Sequence, residues 1–125
     1  MTLADLTIRV QDGIVYATFR GDIDMSNVPE IRSELNHTTT NQALALVLDL
    51  SEVEYLDSAG IHLVHNLHVS LRSRGQKLGL VIPADSMIND ALRLAGLSWA
   101  DERFESAEAA AQALSAAAAD TTGAG

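Results

Sequence analysis

The sequence contains no cysteine. Disulfide cross-links, thiolate nucleophiles and zinc sites built on cysteine are therefore excluded. Basic residues are also scarce, with 8 Lys and Arg against 17 Asp and Glu and a formal net charge of −9. Nucleic acids and anionic membrane surfaces attract proteins that carry basic patches, so this balance argues against both kinds of partner.

Long hydrophobic runs are missing as well, and nothing approaches the roughly 20 apolar residues of a bilayer-spanning helix. The first ten residues, MTLADLTIRV, have neither the basic segment nor the apolar core of a signal peptide, so we expect a cytoplasmic protein. At 125 residues the chain has the size of one domain. Aromatic residues make up only 4% of it, so aliphatic side chains must fill the core.

Hydrophobic periodicity predicts the strands. Apolar and polar residues alternate over 6–10, Asp12-Gly13 suits a tight turn, and 14–20 continues as a second strand, so a hairpin is expected. Nearly continuous apolar runs at 44–50 and 77–82 are typical of central strands buried on both faces. Residues 102–105 fit a short further strand.

Helical spacing predicts four helices. The first begins at Asn27, which with Glu30 fits a capping box, and the longest covers 58–74. A short helix ends at Gly96, and an alanine-rich helix covers 106–119. The order β-β-α-β-α-β-α-(β)-α predicts an α/β fold with a mixed sheet of about five strands and about four helices. We expect a single domain over 1–119 and a disordered tail at 120–125.

The candidate functional residue is Ser58, which follows Asp57 at the start of the longest helix. Functional groups of open α/β sheets gather where strands end, although a serine at a helix start more often serves only as its N-cap. Helical-wheel positions separate a core face from an outward strip. The core face comprises Ile61, Leu63, Val64, Leu67 and Leu71, and the outward strip Ser58, His62, His65, Val69 and Arg72.

A phosphate on Ser58 would gain from the helix dipole and from free N–H groups at the helix start. It would also add about −1.5 to −2 charges beside Asp57 and so repel an acidic partner surface. These are the physical ingredients of a phosphorylation switch.

Four segments resemble the STAS domains of bacterial anti-sigma factor antagonists, over about residues 5 to 118. They are Gly21-Asp-Ile-Asp24, Leu46-Val-Leu-Asp-Leu50, Tyr55-Leu-Asp-Ser-Ala-Gly60 and Ala95-Gly-Leu97. The resemblance implies the STAS fold and places Ser58 where the family carries a phosphorylated serine. The sequence differs from the family at Ala59, where a second Ser or Thr is common.

The resemblance also implies a role in transcription regulation. The unphosphorylated chain would bind an anti-sigma factor that is a serine kinase and so free the sigma factor. Phosphorylation of Ser58 would end this binding, and a PP2C-type phosphatase would restore it. ATP belongs to the kinase, so the resemblance implies no cofactor and no enzymatic activity for this chain.

These arguments together predict a partner-binding surface around Ser58. Its predicted members are Asp24, Asp57, Ser58, Ala59, Gly60, His62, His65 and Val69. The histidines at 62, 65 and 68 recur every third residue, whereas metal-binding helices more often use a spacing of four with a nearby carboxylate, so no metal site is predicted.

Three other interpretations remain open at this point. Ser58 and His62 could act as a serine hydrolase, but Leu56 stands where the nucleophile elbow needs glycine. Asp49 could be the phosphoacceptor of a response-regulator receiver, but no acidic pair follows the first strand. Finally, the chain could be a STAS scaffold or adaptor subunit of a stress-sensing or transport complex in which Ser58 is never modified.

Overall fold

A computed structural model describes residues 5–40, 42–96 and 103–124, with side chains described as far as Ser115. It contains five strands and four helices in the predicted order, which confirms the α/β fold. The strands are β1 (Asp5–Gln11), β2 (Ile14–Ile23), β3 (Ala45–Leu56), β4 (Lys77–Val81) and β5 (Arg103–Phe104). The helices are α1 (Val28–Thr38), α2 (Ser58–Ser73), α3 (Met87–Leu94) and α4 (Ala107–Ala124).

The five strands form one mixed sheet in the order β1-β2-β3-β4-β5. β1 and β2 are antiparallel, and the remaining neighbours are parallel. The predicted hairpin is confirmed: its two-residue turn has φ of 54° at Asp12 and 79° at Gly13. Positive φ at both positions matches the right-handed twist of the flanking strands, and glycine adopts it without a steric penalty.

Side chains from the helices cover both faces of the sheet. The first residues of β3, 45–48, are accordingly all apolar. Leu46, Leu48 and Leu50 point into the larger core, to which α1, α2 and α3 contribute. Ala45 and Val47 point to the opposite face and pack with side chains from α4. Alternate residues of a strand point to opposite faces, so an apolar residue is needed at every position of this run.

β3 is longer than the sequence indicated, because it continues from Leu50 to Leu56. Beyond Leu50 only Val53 and Leu56 are buried, and this breaks the continuous apolar signal. The backbone still pairs with β2 as far as the register partners Ile23 and Leu56. The strand therefore runs directly to the start of α2, where the sequence suggested a connecting loop.

Helix α4 is longer than the sequence indicated. The backbone of α4 is helical as far as Ala124, whereas the sequence placed the helix end at residue 119. Helix propensity does not account for this extension, because Asp120, the two threonines and Gly123 are all poor helix formers. Within the described ranges, no helix combines the length and apolar character needed to cross a membrane.

Candidate functional site

The carboxyl ends of β2 and β3 bring two aspartates together. Because Ile23 and Leu56 are register partners, Asp24 and Asp57 follow them side by side. The Asp57 N–H donates to the Ile23 carbonyl at 3.3 Å, and the Met25 N–H donates to Asp57 Oδ2 at 3.1 Å. We call Asp24, Met25, Asp57, Ser58 and Gly60 the Ser58 corner.

Asp57, and not Ser58, caps helix α2. Its Oδ1 accepts the Gly60 N–H at 2.9 Å, and its backbone is extended with φ −85° and ψ −174°. This geometry is that of an N-cap residue. The structure therefore excludes the interpretation of Ser58 as the cap and places it at the first helical position.

The side chain of Ser58 is exposed, and its hydroxyl is not engaged in a hydrogen bond with the described residues, 5–40, 42–96 and 103–124. A helix leaves its first N–H groups without intrahelical acceptors, and here Asp57 takes only those of Gly60 and Ile61. The N–H groups of Ser58 and Ala59 are consequently available to an anion on the serine.

Gly60 is required by the close approach of α2 to the strand ends. A Cβ at this position would lie 2.6 Å from Leu56 Cδ1 and 3.0 Å from the Ile23 carbonyl oxygen. Real Cβ atoms essentially never come as close as the first distance. A side chain here would require Leu56 to change its rotamer and the start of the helix to move away from the Ile23 carbonyl by a few tenths of an ångström.

Asp24 is held as a carboxylate by its own turn. Its Oδ1 accepts the Ser26 hydroxyl at 2.5 Å and the Ser26 N–H at 2.9 Å. These hydrogen bonds favour the charged form and hold the pKa of Asp24 below its usual value. The corner thus carries the negative charge of Asp24 next to Asp57.

The capping-box interpretation of Asn27 is wrong. Asn27 is buried, makes no cap hydrogen bond, and has φ −117° and ψ −12°. Its Nδ2 donates to the Asp22 carbonyl at 2.8 Å, and its Oδ1 accepts the Asp24 N–H at 3.0 Å. An amide side chain both donates and accepts, so this buried residue can satisfy two backbone groups of the turn at once.

We predict that Asn27→Ala lowers the free energy of unfolding by about 1–2 kcal/mol, because it leaves the Asp22 carbonyl and the Asp24 N–H without their partner. Both residues are half-buried, so water compensates in part. Thermal or urea denaturation measures the loss. Asn36→Ala, at an exposed position of the same helix, is the control and should stay within about 0.5 kcal/mol of the parent. Equal stabilities of the two variants would contradict this role.

The predicted outward strip of α2 is confirmed as an exposed surface. Ser58, His62, His65, Val69 and Arg72 are all exposed. Of the predicted core face, four residues are buried, whereas Ile61 is only half-buried. The reason is a groove of about 420 Å³ beside α2, which Ile61 helps to line.

This groove brings part of the predicted site together. It is lined by Ser58, Ile61, His62, His65 and Ala95. Val69 is not among the lining residues, and Asp24 and Asp57 lie on the other side of Ser58, at the strand ends. His68 is half-buried, unlike the other two histidines of the helix.

Sequence reasoning missed two exposed apolar residues near the ends of β2 and β3. The side chain of Met25 is 76% exposed in the turn after Asp24, and that of Tyr55 is 55% exposed near the end of β3. An apolar residue in a turn among polar neighbours was the only sequence signal for Met25. Both side chains are accessible to a protein partner that covers the strand ends.

The geometry also bears on the other chemical interpretations. In the described part of the chain, neither Ser58 Oγ nor the His62 ring has a hydrogen-bond partner, so the chain of contacts that activates a hydrolase serine is not formed. Asp49 lies within β3 and accepts the Ser51 hydroxyl at 2.6 Å, so it does not stand at a strand end as a receiver phosphoacceptor does. Among the described residues, no three His, Asp or Glu side chains are grouped to hold a metal ion.

A hairpin leads into parallel strands, and an exposed serine begins the helix after the central strand. This arrangement is that of a STAS domain. The STAS domain family matches residues 5–111 of this chain. The anti-sigma-B factor antagonist of Listeria monocytogenes is 31% identical over 78 residues, which are 62% of this chain and 68% of that protein. The chain belongs to the STAS domain family, and the resemblance seen in the sequence is confirmed.

Solved structures show the same fold. An anti-sigma factor antagonist from Mycobacterium paratuberculosis matches with a TM-score of 0.78 at 23% identity, covering 90% of this chain and 94% of that one. The phosphorylated form of the Bacillus cell fate determinant SpoIIAA matches with a TM-score of 0.70 at 18% identity, covering 90% of this chain and 99% of that one.

Proposed function

We propose that this chain is an anti-sigma factor antagonist controlled by phosphorylation of Ser58. The unphosphorylated form binds an anti-sigma factor that is a serine kinase, and the sigma factor is released. The observation that carries the proposal is the exposed Ser58 hydroxyl at the first position of α2, with the capping role taken by Asp57. The name of the Listeria relative supports the regulatory role.

The activating base for Ser58 comes from the kinase. Asp57 is the adjacent carboxylate, but its two oxygens already accept the N–H groups of Gly60 and Met25. In the transfer, Ser58 Oγ forms a bond to the γ-phosphorus of ATP while the bond to the ADP oxygen breaks. The serine proton passes to a base of the kinase, so this chain serves as the substrate and needs no cofactor.

The phosphate ends binding through charge and hydration. It would be held by the free N–H groups of Ser58 and Ala59, which fixes about −1.5 to −2 charges at the helix start. Asp24 and Asp57 already make the corner acidic. A partner that covers the corner must then strip water from a cluster of like charges, and this costs free energy that the unmodified hydroxyl does not demand.

The docking surface extends from Ser58 in two directions. Towards α3 it includes the groove with His62 and His65, and towards β2 it includes the exposed Met25 and Tyr55. Ala59 and Gly60 shape the helix start, and Val69 lies further along the same exposed strip. A phosphate on this open surface is also within reach of a PP2C-type phosphatase, which restores the binding form.

Phosphate mapping tests the proposal. The chain is incubated with a serine-kinase anti-sigma factor of the same cell and ATP, and the products are mapped by mass spectrometry. We expect one phosphate on Ser58, none on Ser58→Ala, and normal modification of Ser73→Ala, whose exposed serine lies at the other end of α2. A phosphate at another residue would contradict the switch, and binding without any phosphate would favour the scaffold interpretation.

A further inference from the structure

The free edge of the sheet at β1 is built for pairing with another strand. In the described ranges, β2 is the only strand that pairs with β1, and the register is continuous from Asp5 to Gln11. Exposed edges are commonly protected by proline, by charged side chains or by a bulge. β1 has no proline and no bulge, and its two charged side chains, Asp5 and Arg9, are of opposite sign.

The backbone groups that face outward from this edge can be assigned. In a hairpin with a two-residue turn, the closing pair, here Gln11 and Ile14, is hydrogen-bonded. Antiparallel ladders alternate, so Asp5, Thr7 and Arg9 also direct their N–H and C=O groups towards β2. Leu6, Ile8 and Val10 therefore direct theirs away from the sheet.

The side chains of β1 are arranged so that two antiparallel copies of the strand, aligned at Thr7, would complement each other in charge. Asp5 lies two residues before Thr7 and Arg9 two residues after it, on the same face of the strand. Leu6 and Ile8 flank Thr7 on the other face, where they pack half-buried against the main core. An antiparallel copy centred on Thr7 would place each acid opposite a base and Leu6 opposite Ile8.

We propose that β1 pairs antiparallel with β1 of a second copy of this chain, across a two-fold axis at Thr7. The outward groups of Leu6 and Ile8 form the hydrogen-bonded pairs, and Asp5 stands opposite the partner's Arg9 in the more closely spaced, non-hydrogen-bonded pair. The Arg9 guanidinium lies 4.9 Å from the centroid of the Tyr16 ring. Stacking of this kind orders the guanidinium and leaves its N–H edge free for the carboxylate.

The dimer is weak and reversible. Of the described residues, 5 to 9 of each strand lie opposite one another, and the contact between them is smaller than the roughly 1,200–2,000 Å² of a stable interface. The charge of −9 on each copy adds repulsion. We expect a dissociation constant on the order of 100 μM. None of the Ser58 corner residues lies in β1, so the proposal does not depend on the phosphorylation switch.

Sedimentation equilibrium of the full chain, from micromolar to millimolar concentration, tests the pairing. The parent and Ser58→Ala should both show a monomer–dimer equilibrium. Arg9→Asp or Asp5→Arg alone places like charges opposite each other twice and should weaken the dimer at least about tenfold. The double variant D5R/R9D exchanges the two charges and should restore most of the affinity, because it lacks only the stacking of Arg9 on Tyr16.

Two variants on α1 are the charge-matched controls. Arg32→Asp and Glu34→Arg change the net charge as the single β1 variants do, but at exposed helix positions, and should dimerise as the parent does. Thermal unfolding confirms that each variant is folded. A chain that stays monomeric at all concentrations would overturn the proposal, as would a dimer that the single β1 variants leave intact or that D5R/R9D fails to restore.

Discussion

Replacing Ser58 by aspartate is expected to weaken binding to the serine-kinase anti-sigma factor by about 10- to 100-fold, which corresponds to about 1.4–2.7 kcal/mol. Ser58→Ala is expected to bind as tightly as the unphosphorylated protein. The aspartate brings a third carboxylate to a corner that already holds Asp24 and Asp57. A partner that buries this corner then removes water from all three.

The effect of the aspartate is smaller than that of a phosphate. A carboxylate has one charge and a shorter reach, whereas phosphoserine carries about −1.5 to −2 charges and three acceptor oxygens. The lowered pKa of Asp24 keeps its charge in place throughout the neutral range.

Isothermal titration calorimetry of the variants against the same anti-sigma factor measures this effect. Ser73→Asp adds the same charge at an exposed position of the last turn of α2 and should bind as the parent does. If Ser58→Asp and Ser58→Ala bound equally, charge at the Ser58 corner would not control the interaction.

Gly60→Val is expected to lower the free energy of unfolding by about 3 kcal/mol, at the upper end of the usual cost of overpacking. Helix propensity alone predicts a small gain, because glycine is the poorest helix former after proline. The packing reverses the sign, since a Cβ here would meet Leu56 Cδ1 at 2.6 Å and the Ile23 carbonyl at 3.0 Å. The Leu56 side chain can change its rotamer, but the Ile23 carbonyl is part of the backbone of β2 and cannot move without disturbing the strand.

Urea denaturation measures this loss, with Asn66→Val as the control. Asn66 is exposed on the same helix, and asparagine and valine have similar helix propensities, so the control should remain within about 0.5 kcal/mol of the parent. A Gly60→Val protein as stable as the parent would show that α2 does not need its close approach to the strand ends.

Helices and strands were predictable from the sequence wherever a residue pattern is compatible with only one kind of structure. The hairpin followed from alternation and an Asp-Gly turn, and the central strand from a run that must be apolar on both faces. The second half of β3 was not predictable, because its polar residues face solvent while its backbone pairs with β2. Such pairing is a property of two distant segments and leaves no local signal.

The site was predictable to a similar extent. The exposure of Ser58 followed from the helical wheel, because the core face of α2 is strongly apolar. The capping of α2 by Asp57 is a local contact with Gly60, and the preference of helix starts for aspartate could have indicated it. The contact between Met25 and Asp57, by contrast, depends on how the ends of β2 and β3 meet. That meeting is set by strand register, which a single sequence does not display.

The most direct measurement of the central claim is displacement of the sigma factor from its complex with the anti-sigma factor. The chain is purified in its unphosphorylated form and in a form phosphorylated on Ser58, and each is titrated into the preformed complex. The account predicts that the unphosphorylated chain releases the sigma factor and that the phosphorylated chain leaves the complex intact. Equal release by both forms, or release by neither, would contradict it.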